Sequence, residues 1–192
     1  MTGVMDLSMD ECIRPWTEDR CEDVTKFLKG SLVSFFNHQF CDEDEPEYSD
    51  QNFLWITGCR ADKYSMHVIA PDDIYDRGYI SCKYLTWEFS RYLWVEGWKA
   101  LLVELRIPDR DTDRGRADQD RIRMLVRVLK LHKQICEAGD WRATNNTMVD
   151  ESINSRNRNL RMVGGCKPNT SHMRLLEEGE LHLGERVPVG KW

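Results

Sequence analysis

Phe53-Leu-Trp-Ile-Thr-Gly58-Cys-Arg-Ala-Asp62-Lys63-Tyr-Ser-Met-His67-Val-Ile-Ala70 is the stretch that decides the fold. Phe53 to Thr57 reads as a strand, Gly58 to Asp62 supplies turn residues, and Lys63 to Ala70 reads as the partner strand. In the second strand a period of two sets Lys63, Ser65 and His67 on one face and Tyr64, Met66 and Val68 on the other. Pro71, Asp72 and Asp73 end it.

Upstream, Met5, Leu7 and Met9 alternate with Asp6, Ser8 and Asp10, the pattern of a further strand with its polar residues on one face, and Pro15 stops it. Thr17 fits a helix N-cap, and Glu18 and Asp19 suit a first turn. Val24, Phe27, Leu28, Leu32, Phe35 and Phe36 then repeat at helical spacing, which predicts a helix over 18–38. Residues 41–51 read as an exposed acidic loop. Downstream, the large apolar residues from 80 predict a helix to about Glu96, broken at Gly97, with 100–107 open to helix or strand. Residues 109–120 read as a charged loop, 120–138 as a helix, and 173–183 as a hairpin turning at Glu178-Gly179. The expected fold class is α+β: one domain over 1–183, with a loose tail over 184–192.

Hydrophobic residues at 41% and aromatics at 10% of 192 fit a folded core. No run of about 18 apolar residues occurs, so no membrane span is expected, and the N-terminus lacks a secretory pattern. The seven cysteines are scattered without Cys-x-x-Cys spacing, which reads as reduced thiols in an intracellular protein. A net charge of −6 argues against coating nucleic acid with the whole surface. Between Glu151 and Arg174, however, Arg156, Arg158, Arg161, Lys167 and Arg174 face a single acid.

That basic region belongs to a second informative stretch, Met148 to Lys167. Met148 and Val149 form a short apolar run that ends on Asp150. Arg156 and Arg158 follow in a polar segment, then a strand-like run over 159–163 with Arg161 inside it, then Gly164, Gly165, Cys166 and Lys167. A carboxylate at a strand end, guanidinium groups and a lysine beyond a glycine pair suit a divalent metal held beside a polyphosphate. Arginine forks match phosphate oxygens in pairs, and lysine adds a point charge.

Lys63-Tyr64-Ser65-Met66-His67 and Val149-Asp150 through Lys167 together resemble the archaeo-eukaryotic primase superfamily, nearest to eukaryotic primase-polymerases and the herpesvirus-type primase. The resemblance runs over roughly residues 5–10 and 53–176. It lies in a Ser-x-His strand (Ser65, His67), a strand ending in a metal-binding acid (Asp150), and Arg156-Asn157-Arg158-Asn159-Leu160-Arg161 followed by Lys167. It implies a primase-polymerase catalytic core: a mixed or antiparallel sheet flanked by helices, an RRM-like palm half plus a small α/β unit. It implies transfer of a nucleotide to a 3′-hydroxyl on single-stranded DNA template, in replication or damage tolerance. It further implies two Mg²⁺ or Mn²⁺ ions on Asp6 and Asp150, with Asp10 in reserve, and His67 in the catalytic centre. Lys63, Ser65, His67, Arg161 and Lys167 would contact the NTP or dNTP, and Arg156 and Arg158 the template backbone. A helicase or other replication protein is the implied partner, with no membrane. The implied site is the nucleus or a place of viral or organellar DNA replication. The zinc module of the group is not seen, so no zinc is expected. One departure stands out: Ser8 occupies the place of the second acid of the first motif.

Plainer readings sit beside these. His67 on a strand also fits a hydrogen-bonded structural residue, Asp150 a turn cap, and Arg156 and Arg158 an exposed loop. Trp87, Trp94 and Trp98 fit a core as well as a base-stacking platform. The segment 109–115 imitates a calcium loop, but Arg110 and Arg114 oppose a dication. The alternative function is a weak or inactive primase-like subunit that binds nucleotide or nucleic acid.

Overall fold

The computed structural model describes residues 4–10, 15–42, 47–70, 82–105, 113–129, 147–150, 163–166, 170–176 and 181–185. For residues 4, 6, 8–10, 82–83 and 113–119 only the backbone is described. Among these residues the protein is a small α+β domain, with an antiparallel sheet flanked by helices.

The strand pair read from the sequence is β2 (Leu54–Thr57) and β3 (Lys63–Ile69), paired antiparallel with Ile56 opposite His67. Their connection is closed by Arg60 and Lys63, whose backbones exchange hydrogen bonds of 2.8 and 3.1 Å. Arg60 also grips Asp62 through Nε at 2.9 Å and Nη2 at 3.2 Å. Strand β1 (Val4–Asp10) lies antiparallel on the other edge of β3. A two-residue strand β4 (Arg174–Leu175) pairs with β2, so the order across the sheet is β1-β3-β2-β4.

Helix α1 (Glu18–Phe40) starts where its cap chemistry dictates, with Thr17 Oγ1 accepting from the Arg20 amide. It buries Cys21, Val24, Leu28, Leu32, Phe35 and Phe36, a single stripe at three- and four-residue steps. Against that stripe pack Met5 and Leu7 of β1, Trp55 of β2, and Tyr64, Met66 and Val68 of β3. Phe35 and Phe36 extend the contact through edge-on and tilted rings to Phe89 and Phe53.

Helix α2 (Cys82–Leu105) runs unbroken through Gly97, where the sequence predicts a break. The reason is packing. A Cβ at Gly97 would lie 2.7 Å from Leu129 Cδ2, so the missing side chain lets the helix after it approach closely. That helix, α3 (Asp113–Val128), begins seven residues before the predicted start, inside the stretch read as a charged loop. Its charges are used locally: Arg121 pairs with Glu104 of α2 at 2.6 Å, and Arg123 with Asp120 at 2.8 Å. Residues 113–115 of the calcium-loop imitation thus belong to a helix. Leu101, Leu125 and Leu129 form a second, smaller core between α2 and α3.

In the acidic segment 41–51, Asp50–Asn52 make a 3-10 turn and Asp50 pairs with Lys29 at 2.7 Å. The predicted turn at Glu178-Gly179 and the predicted helical residues from 130 on lie outside the described residues. Leu183 and Gly184, where the tail begins, donate their amides to Glu18 Oε1 at 3.2 Å and to the Cys59 carbonyl at 2.8 Å.

Candidate nucleotide site

Strand β3 carries the central candidates. Tyr64, Met66 and Val68 enter the core below the sheet, so Lys63, Ser65 and His67 occupy its opposite face. Ser65 is 1% and His67 4% exposed, and Lys63 is half-buried. Ile56, opposite His67 on β2, is buried on the same face, while Leu54 beside it is exposed.

The register of β1 against β3 adds the first motif. Asp6 lies opposite His67, Ser8 opposite Ser65, and Asp10 opposite Lys63. All three are the alternate positions to Met5 and Leu7, which are buried in the core. Asp150 comes in from the other side of β1. Leu7 and Val149 form an antiparallel bridge, and both are buried in the core. The bridge is isolated; continued by one step, its register would set Asp6 opposite Asp150. The end of the 147–150 segment is fixed by Ser90 and Thr147, whose hydroxyls share a buried 3.0 Å hydrogen bond. The Met148 amide bonds to the Val128 carbonyl at 3.0 Å, which ties the segment to the end of α3.

The glycine pair lies toward the far edge. The Gly164 amide donates to the Met173 carbonyl at 2.8 Å, and the Met173 amide returns a bond to the Gly165 carbonyl at 3.0 Å. Gly164 has φ of +82°, a backbone conformation that glycine adopts without strain. Ser171 Oγ ties this turn to the Gly58 carbonyl at the end of β2, at 2.9 Å. A Cβ at Gly58 would meet Met173 Sδ at 2.5 Å, so the turn sits directly on the strand. The candidate acids and the glycine turn therefore bracket β3 from opposite edges of the sheet. With strands about 4.8 Å apart, Val149 and β4 are separated by four spacings, about 19 Å.

Arg156, Arg158, Arg161 and Lys167 lie outside the described residues, as do the side chains of Asp6 and Asp10. Among the described residues no group of three His, Cys, Asp or Glu side chains gathers to hold a metal ion. Asp6 and Asp150, each next in the chain to a residue of the Leu7–Val149 bridge, carry hard oxygen ligands of the kind Mg²⁺ and Mn²⁺ take. The apolar run at Met148 and Val149 is legible as a strand end, but its pairing with Leu7 is not, since a single bridge residue leaves no periodic signal of its partner.

Cys59 faces the core instead. Its thiol donates to the Ser65 carbonyl and accepts from the Ser65 amide, both at 3.4 Å. The neighbouring Cys21 thiol is pushed far up by its hydrogen bond to Cys59 and by burial. No protein-family model, curated protein or solved structure matches this chain.

Proposed function

We propose that this chain is a nucleotidyltransferase of the primase-polymerase kind, extending a 3′-hydroxyl on a single-stranded DNA template. The single observation that carries the reading is the convergence of three separated sequence motifs on one sheet. Asp6 is opposite His67 by strand register, and Asp150 follows Val149, which bridges Leu7. Such transfer depends mainly on positioning and charge neutralisation rather than on covalent chemistry by the protein. Asp6 and Asp150 would hold a divalent cation, while Asp10 stands four residues further along β1, about 13 Å from Asp6 and beyond reach of the same ion. When bound, Mg²⁺ or Mn²⁺ supplies charge to the phosphates and lowers the pKa of the attacking hydroxyl. Ser65 and His67 lie on the same face beside these acids, as donors for the triphosphate oxygens, with Lys63 at the end of the row. Arg161 and Lys167 would add charge to the phosphates, and Arg156 and Arg158 would meet the template backbone. The antiparallel sheet and its helices would then be the palm half of such an enzyme.

The test is Mn²⁺-dependent incorporation of a labelled nucleotide on a single-stranded template. The intact chain incorporates, and Asp150→Ala lowers the rate at least about 100-fold, the scale of losing a group that neutralises transition-state charge. Equal rates in the two proteins would contradict the assignment.

One observation favours a second reading. Ser8, not an acid, stands opposite Ser65, so the strand offers a hydroxyl where a second carboxylate serves a two-metal site. A nucleotide-binding subunit without transfer activity then follows. Triphosphate binding that depends on His67 and Lys63, without incorporation at any Mn²⁺ concentration, would select it.

A further inference from the structure

Helix α2 is apolar on two opposite faces. Leu85, Phe89, Leu93 and Leu101 point into the two cores and are at most 3% exposed. On the far side run Tyr84, Trp87, Arg91, Val95, Trp98, Leu102 and Leu105, at steps of three and four residues along the whole helix, with Trp98 at the edge of the stripe and packed in part against the second core. Tyr84, Val95, Leu102 and Leu105 are each close to half exposed, and Trp87 is 39% exposed. A helix apolar all round is normally enclosed on all sides, and a continuous apolar stripe on a surface marks a place where another molecule binds.

We propose that this stripe is a self-association surface, on which a second copy of the chain lays its own α2 antiparallel about a two-fold axis. The stripe complements its own reversal. With the axis between Trp94 and Val95, Tyr84 meets the partner's Leu105, Trp87 meets the partner's Leu102, and Arg91 meets the partner's Trp98. Rings then face aliphatic chains, and a guanidinium faces an indole, the pairing Arg91 already makes within its own chain over Trp87 at 4.7 Å. A two-fold contact of this kind needs only one self-complementary patch.

Charge decides the direction. A parallel pairing would set Arg91 against Arg91 in the middle of an apolar seam, whereas the antiparallel one separates the two guanidinium groups by about 10 Å. Glu88 and Lys99 lie on the same flank of the stripe, held within the chain by Arg91 at 3.7 Å and Glu96 at 2.6 Å. The antiparallel arrangement brings Glu88 within about half a turn of the partner's Lys99, on both sides of the axis.

The experiment measures the mass of the full chain in solution across a concentration series, together with disulfide trapping. The expected result is twice 22.6 kDa at the upper concentrations. Trp87→Glu and Leu102→Glu raise the dissociation constant by roughly 30-fold, the scale of an interface hot spot. At concentrations where both proteins are single chains, Leu102→Glu melts as the unmodified chain does, because that side chain is about half exposed. Under a mild oxidant Val95→Cys, next to the axis, forms a linked dimer above the background of the unmodified chain. Tyr84→Cys does not, since two copies of that position lie about 31 Å apart. A mass of one chain at every concentration overturns the proposal. So does a dimer that survives Trp87→Glu, or cross-linking through Tyr84→Cys as fast as through Val95→Cys.

Discussion

Tyr64 shows how a single residue joins three parts of the chain. Its ring is fully buried against Trp16 at 5.5 Å, and its hydroxyl lies 2.9 Å from Thr25 Oγ1. Thr25 spends its own proton on the Cys21 carbonyl at 2.7 Å, so Tyr64 is the donor in that contact. Burial, reinforced by the neighbouring Cys59, holds the phenol well above its ordinary value of 10. The folded state therefore keeps a proton that the unfolded chain releases. The resulting stability is complete below about pH 10 and is lost as pH rises from there toward the raised folded value. Tyr64→Phe removes one hydrogen bond without orphaning Thr25, and is expected to cost about 1 kcal/mol at neutral pH. It also flattens the alkaline loss of stability, as read by denaturant unfolding at a series of pH values. Curves for the two proteins that stay parallel above pH 10 would contradict this account. At this scale the sequence was legible in the strands, because a period of two sorts Tyr64, Met66 and Val68 from Lys63, Ser65 and His67 without further information. It did not show that Thr25, mid-helix, serves Tyr64, because that contact joins positions 39 residues apart.

Elements were legible where periodicity was strong and obscured where packing overrode local preference. The cap at Thr17 and the apolar stripe after it locate α1, and the alternation of Met5, Leu7 and Met9 locates β1. Gly97 reads as a break because glycine disfavours helix interiors, yet the close approach of Leu129 keeps it inside α2. The start of α3 was hidden because charge density alone does not separate a loop from a solvated helix. Gly184 belongs to the same class of contact. A Cβ there would stand 2.6 Å from Ser171 Cβ, in a layer with Gly58 and the Cys59 carbonyl. Gly184→Ala is expected to destabilise the fold by about 1–3 kcal/mol through overpacking. An unchanged denaturation midpoint would show that this segment is not seated as described. The β1 edge admits an equally direct check. Opposite positions in an antiparallel pair have Cα atoms about 4.5–5.5 Å apart, within disulfide range. Asp6→Cys with Asp150→Cys should close an intrachain disulfide on oxidation. Failure to close it would remove the Leu7–Val149 register from the account.

For the whole molecule, the sheet order explains why distant motifs meet. Residues from the first ten positions, from the 63–69 strand and at Val149 become neighbours because β1 sits between β3 and the 149 bridge. Local patterns identify the strands but not their order, which is set by long-range pairing and by the shared core. The central claim is that Asp6 and Asp150 act as one cation site beside His67 and Ser65. It is tested most directly by Mn²⁺ affinity, read from the electron paramagnetic resonance of free Mn²⁺, for the intact chain, Asp6→Asn, Asp150→Asn and the double variant. The account predicts at least about a tenfold loss of affinity in each single variant, and little further loss in the double, because both acids serve one site. Mn²⁺ binding unchanged by either substitution would contradict it.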